Sequence, residues 1–360
     1  MPILGIVNAS KSNFRGVAGY VAGGSNGTVR VNGIDKITFP ADTKTTIAGV
    51  LSSAKTKGAG FANSSVAGYA AGGFSAATAD YVSTIDRVAF PADTVTTLSA
   101  TLSVAVNSPS GFANSAVAGY SAGGYGTSYN SFIDKITFPA DTKTTLSPTL
   151  SSARRQLAAM ADNNVAGYAG GGNDGSRVSG IDKITFPADT KTTLSPTLST
   201  ARSALAAMAN SGVAGYFGGG SDPSNVDGID KITFPADTKT TLVATLSTAR
   251  ADIPAGMANS GVAGYFGGGY DTGLIDGIDK ITFPADTRTT LSAVLTSPRS
   301  ALAAIAANAS AGYFGGGEAA AGARLSGIDK ITFPGDGKTT LSPTLSTART
   351  SPTGMADGGV

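Results

Sequence analysis

Between positions 202 and 246 short apolar runs alternate with glycine, proline and aspartate punctuation. Segment 204–209 is small and apolar, and Asn210-Ser211-Gly212 turns it into segment 213–218, Val-Ala-Gly-Tyr-Phe-Gly. Segment 229–234 is rich in β-branched residues, and segment 240–246 follows Pro235-Ala236-Asp237-Thr238. Proline cannot continue a ladder and aspartate can cap its own backbone, so that tetrapeptide reads as a turn. A glycine run at 218–220 opens a polar loop between the second and third segments. The pattern predicts four short strands, a to d, and Gly, Thr and Pro at these positions argue against a helical repeat.

The same pattern recurs along the chain. Ile-Asp-(Lys/Arg)-(Ile/Val)-x-Phe-Pro-x-Asp begins at Ile34, Ile85, Ile133, Ile181, Ile229, Ile278 and Ile328, at steps of 51, 48, 48, 48, 49 and 50 residues. The expected fold is all-β: a seven-bladed β-propeller over 16–360 with four antiparallel strands per blade. The first copy enters at strand b, Gly16-Val17-Ala18-Gly19-Tyr20, whereas the last ends after a strand a. Residues 350–357 are therefore expected to complete the first blade and remove an open sheet edge. Residues 1–15 match no part of the repeat and are expected to form an arm, idle or used for docking.

These residues resemble the kelch repeat. The glycines after strand b fit that pattern, as do the strand b aromatics (Tyr20 through Tyr313) and the arginines before strand a, Arg154, Arg202, Arg250, Arg299 and Arg349. The kelch tryptophan of strand d is absent from every copy, which reads Thr-Thr-Leu or Thr-Thr-Ile there and puts the usual packing between blades in doubt. Regular Gly/Ala/Thr-rich repeats of this wording are also similar to those of bacteriophage virion and tail-fibre proteins. The resemblance implies a place on a virion surface, with an extracellular or cell-surface position as the alternative.

Composition narrows the chemistry. The 360 residues carry a formal net charge of +2, a balance that disfavours nucleic acid as a partner. With no cysteine, disulfides and thiolate metal sites are excluded, and with no histidine the commonest general base and metal ligand is missing. No cofactor is implied: the Gly-Gly-Gly runs recur in repeat phase as turn glycines, and the loop acids match no calcium motif. The opening Met-Pro-Ile-Leu-Gly-Ile-Val lacks a secretory signature, and no stretch approaches membrane-spanning length, so the chain reads as soluble, without membrane insertion.

Variation is concentrated in the b to c loops, 25–32, 74–83, 125–131, 173–179, 221–227, 270–276 and 318–326, which share one face with the d to a connections. That face is the candidate binding face, against neutral drift in solvent. Its aromatics, Phe74, Tyr81, Tyr125, Tyr129 and Tyr270, are of the kind that stack on sugars, and Phe132 lies beside them, although it can simply begin strand c. A second constellation, Lys55, Arg154, Arg202, Arg250, Arg299 and Arg349, is expected to ring the central mouth, with Val106 in the seventh place. Such guanidinium groups can clamp anions, or pair with the strand c aspartates Asp35 through Asp329 and fix blade register; the second is favoured. The functional expectation is a non-enzymatic virion component, docked to neighbouring virion proteins by its arm and presenting its loop face to a host-surface glycan or protein. The alternatives are a polysaccharide-processing enzyme, for which Glu318 is the only loop acid without a repeat counterpart, and a cellular scaffold or adhesin.

Overall fold

The computed structural model describes residues 17–75, 80–252 and 255–356; the expected arm lies outside them. The fold is all-β. Seven four-stranded antiparallel sheets stand among the described residues in a propeller-like arrangement. In the repeat first considered, strands Ala206–Asn210, Ala214–Gly218, Ile229–Thr233 and Lys239–Thr241 follow one another outward. Strand d is shorter than its apolar run suggests. Beyond it Leu242 and Leu246 bury their side chains in the core, while their N–H groups donate to Ile229 O at 2.9 Å and Asp227 O at 2.8 Å. The first sheet takes its inner strand from the far end of the chain: Thr353–Ala356 pairs with Ala18–Ala22, Met355 opposite Tyr20.

The inner strands neighbour one another in a circle, in which Thr353–Ala356 stands between Ala59–Asn63 and Ala303–Ala307. What joins one sheet to the next explains the repeated wording. The tyrosine of strand b, fully buried, stacks on the Phe-Pro phenylalanine of the following sheet, as Tyr216 does on Phe283 at 5.0 Å. This contact supplies the inter-blade packing that a tryptophan does not. Strand b begins Ala-Gly-Tyr because the previous sheet's strand a side chain presses on its glycine. A Cβ on Gly264 would stand 2.1 Å from the Met208 sulfur, and one on Gly119 2.1 Å from Phe61.

The turn aspartates do not cap their own backbone, as the sequence suggested; each holds a left-handed φ near +58° and turns its carboxylate to the preceding sheet. Asp286 accepts the Tyr216 hydroxyl at 2.7 Å and the Lys231 ammonium at 2.6 Å. Asp42 does the same for Tyr313 and Lys330, at 2.8 and 2.6 Å, so the seventh sheet grips the first. Lys231 also lies over the Tyr216 ring, 5.7 Å from its centroid, which shields the pair and holds the lysine in one rotamer.

A further set of links closes the turn side. Asn63, Asn114, Asn210 and Asn259 each accept, on the side-chain oxygen, a backbone N–H from the next sheet's a to b turn, at 2.8 to 3.0 Å. Asp162 does this in the fourth sheet, accepting from Gly212 at 2.8 Å. Burial raises its pKa above the ordinary 3.8, more than the Gly212 bond and nearby Lys183 lower it. A carboxyl raised in this way binds more protons folded than unfolded, so its contribution to stability falls as pH rises from the unfolded value through the folded one. Asp162→Asn keeps the acceptor without the buried charge and is expected to gain roughly 1 kcal/mol at neutral pH. Urea unfolding at neutral pH and at about pH 3, below the unfolded value, should show the gain only at neutral pH; an equal effect at both would mean that charge is not the cause.

Candidate functional site

The strand c aspartates are the first candidates to be placed. Asp230, fully buried, accepts from Ser199 N–H at 2.9 Å and Oγ at 3.0 Å, Thr241 Oγ1 at 2.8 Å, Arg202 Nη2 at 2.8 Å and Lys239 Nζ at 3.0 Å. Burial alone would raise its pKa, but the Arg202 charge and these donors outweigh it and hold the carboxyl below the ordinary aspartate range. Ser199 and Arg202 precede the sheet and belong to the connection from its predecessor, so this carboxylate also ties neighbouring elements together. Arg154, Arg250, Arg299 and Arg349 pair with Asp182, Asp279, Asp329 and Asp35, and Lys55 pairs with Asp86 at 2.9 Å. All six basic groups are nearly or fully buried. They are therefore structural ion pairs and do not ring the mouth; the anion-clamp reading is corrected because none of these six groups is open to a ligand. In the third sheet, where Val106 replaces arginine, Asp134 keeps Lys143 at 3.0 Å and Ser103, and a cavity of about 10 Å³ stands beside it.

The mouth is lined by residues two positions further on. Lys57, Ser108, Gln156, Ala204, Asp252, Ala301 and Ser351 all adopt left-handed φ between +50° and +60°. Backbone hydrogen bonds join them around the mouth, from Ala204 through Ser351 to Asp252: Ser108 N–H donates to Lys57 O at 2.8 Å, Gln156 to Ser108 at 3.2 Å, Ala204 to Gln156 at 3.0 Å, Lys57 to Ser351 at 3.2 Å, Ser351 to Ala301 at 2.7 Å and Ala301 to Asp252 at 3.4 Å. Below it, an axial cavity of about 290 Å³ is walled by small strand a residues, among them Gly60, Gly111, Ala159 and Ala207. These walls offer backbone and methyl groups together with the Ser110 and Thr353 hydroxyls.

The loop face carries the other candidates. Each b to c loop folds back on itself and pairs with the neighbouring d to a connection; Tyr125 bridges to both Tyr129 and Asn107. Beside the second sheet, Lys55–Thr56 and Asp80–Tyr81 flank Phe74–Ser75 in a separate three-stranded sheet. This folding brings together aromatics distant in sequence. Phe74 meets Tyr81 edge-on at 5.6 Å, Tyr81 meets Tyr125 at 5.9 Å, and Tyr125 meets Tyr129 at 5.1 Å. Two residues that sequence reasoning missed cap this ladder: the Arg30 guanidinium lies 4.9 Å from the Phe74 ring centroid, and that of Arg155 4.7 Å from Tyr125 and 5.8 Å from Tyr129. The available signal was that Arg155 follows a repeat arginine at a position otherwise occupied by Thr, Asn, Ser or Ala. Tyr270, 45% exposed, stands alone in the sixth sheet, and Phe132, 41% exposed, precedes strand c outside the ladder. Glu318 pairs with Arg324 at 2.7 Å.

No family model matches the sequence, and no curated protein matches it. Among solved structures, that of YjhT is similar, with a TM-score of 0.64 over 80% of this chain and 97% of that chain at 13% identity; at that identity the likeness is one of fold.

Proposed function

We propose that the chain is a non-enzymatic recognition module: a closed, seven-bladed, kelch-like propeller whose loop face binds a host-surface glycan or protein. The observation that carries the reading is the gathering of Phe74, Tyr81, Tyr125 and Tyr129, from two variable loops, onto one patch. The repeated aspartates are engaged between and within sheets, and Glu318 by Arg324, which favours binding over acid–base chemistry. The Gly/Ala/Thr-rich repeats support a virion surface as the setting, with residues 1–15 as the attachment to neighbouring particle proteins.

Changing Tyr81, Tyr125 and Tyr129 singly to serine should weaken attachment to host cells by about 0.5–1.5 kcal/mol each, and the triple change should abolish it. Tyr270→Ser, away from the ladder, should have the smallest effect. Cell adsorption of particles or of the purified chain reads the outcome; normal adsorption by a triple variant that melts like the parent would sink the proposal.

A further inference from the structure

We propose that the ladder selects an anionic glycan, a sugar chain bearing carboxylate or sulfate, with Arg30 and Arg155 as its charge-reading residues; this rests on the loop-face reading above. Both guanidinium groups are half-buried against aromatic faces, and neither has an acidic partner within ion-pair distance among the described residues. Their Nε atoms are buried without a hydrogen-bond partner there. An unpartnered Nε is also found at Arg154, Arg202 and Arg299, so what sets Arg30 and Arg155 apart is the acid: each of the six repeat cations has its aspartate.

The aromatic faces hold each guanidinium by cation–π attraction, and with Nε buried the Nη1/Nη2 end is the one available for paired hydrogen bonds, the geometry that carboxylates and sulfates match. Between the two cations stand four aromatic rings in edge-to-face order, offering tilted faces to sugar C–H groups. The sector crosses the b to c loops of the first three sheets and ends on the connection into the fourth, which suits a chain of several sugars over a single one. An acidic peptide fits less well, because Phe74 and Tyr125 spend their backbones in the loops' own short ladders, leaving no long strand edge for an extended peptide to join. The acids of this sector form no ion pair with it: Asp80 is exposed and accepts its neighbour Tyr81's N–H at 2.7 Å, and Asp174, beside the Asn173 that bridges to Arg155, accepts Ser176 N–H at 3.1 Å.

The test titrates the full chain with oligogalacturonate, a sulfated oligosaccharide of similar length, uncharged maltooligosaccharide and polyglutamate. At least one charged glycan should bind, about tenfold or more tighter than the neutral one, as one charge-assisted contact implies. Arg30→Gln and Arg155→Gln should each remove about that factor and flatten the salt dependence. Arg155→Lys should recover part of it, and it carries the test with Arg30→Gln if Arg155→Gln does not fold. Equal affinity for the neutral sugar, with both glutamine variants unaffected, overturns the anionic assignment, while loss of that binding in Tyr125→Ser would leave the loop-face reading standing. Polyglutamate bound as tightly as either charged glycan, or neither charged glycan bound at millimolar concentration, also overturns it.

Discussion

A chain ended at Arg349 is expected to lose an amount of stability comparable with the whole net stability of a domain, about 5–15 kcal/mol. The cut removes Thr353–Ala356 and its ladder with Ala18–Ala22, and takes the buried Met355 from the core shared by the first and second sheets. It also removes the Thr350 carbonyl that accepts Ser25 N–H at 3.0 Å, and that of Ser351, which accepts Lys57 N–H at 3.2 Å and Thr56 Oγ1 at 2.9 Å. What remains is a ring with an apolar gap and an unpaired strand edge, which recruits other chains. Urea unfolding and size-exclusion chromatography should show lost cooperativity or new oligomers. A truncated chain that melts like the parent and stays monomeric would refute the role assigned to the strand.

Asp230→Ala should cost about 3–5 kcal/mol, the range for breaking a buried ion pair from one side. The change leaves the fully buried Arg202 and the Ser199 amide without their acceptor. Arg202→Met should cost less, because Asp230 keeps Lys239 at 3.0 Å, Ser199 and Thr241. The third sheet already lives with that arrangement, with Val106 in the arginine position and Asp134 held by Lys143 and Ser103. Equilibrium unfolding of both variants gives the comparison, and a larger loss from Arg202→Met would overturn this ordering.

The repeat and its four strands were legible in the sequence because turn residues and β-branched runs are local signals. The placement of Thr353–Ala356 was legible too, since the unit missing before Gly16 is the one left over after Arg349. Partners across sheets were not. Nothing near Asp237 in the sequence indicates that its carboxylate meets Tyr168 at 2.7 Å, 69 residues away. The arginine positions were read with the right partners but the wrong place, because position in a repeat does not reveal depth below the surface. The ladder was half legible: its aromatics stood out by type, but the folding back of the loops decided that Tyr81 meets Tyr125 and that Tyr270 stays apart. Arg30 and Arg155 escaped notice because a guanidinium over a ring is a through-space relation.

Every tyrosine–aspartate link between neighbouring sheets runs the same way round: the tyrosine hydroxyl and its lysine, or Arg87 in the second sheet, reach forward, and the aspartate receives from behind. Such a contact is heterologous, and heterologous contacts either close into rings or grow without end. On the closed, seven-bladed reading proposed above, the molecule is a cyclic heptamer written on one chain, its rotation completed where Asp42 receives Tyr313 and Lys330. Connectivity becomes almost incidental to such an object. Any a to b turn could serve as the break in a circular permutant, since the first and last segments would again share a sheet.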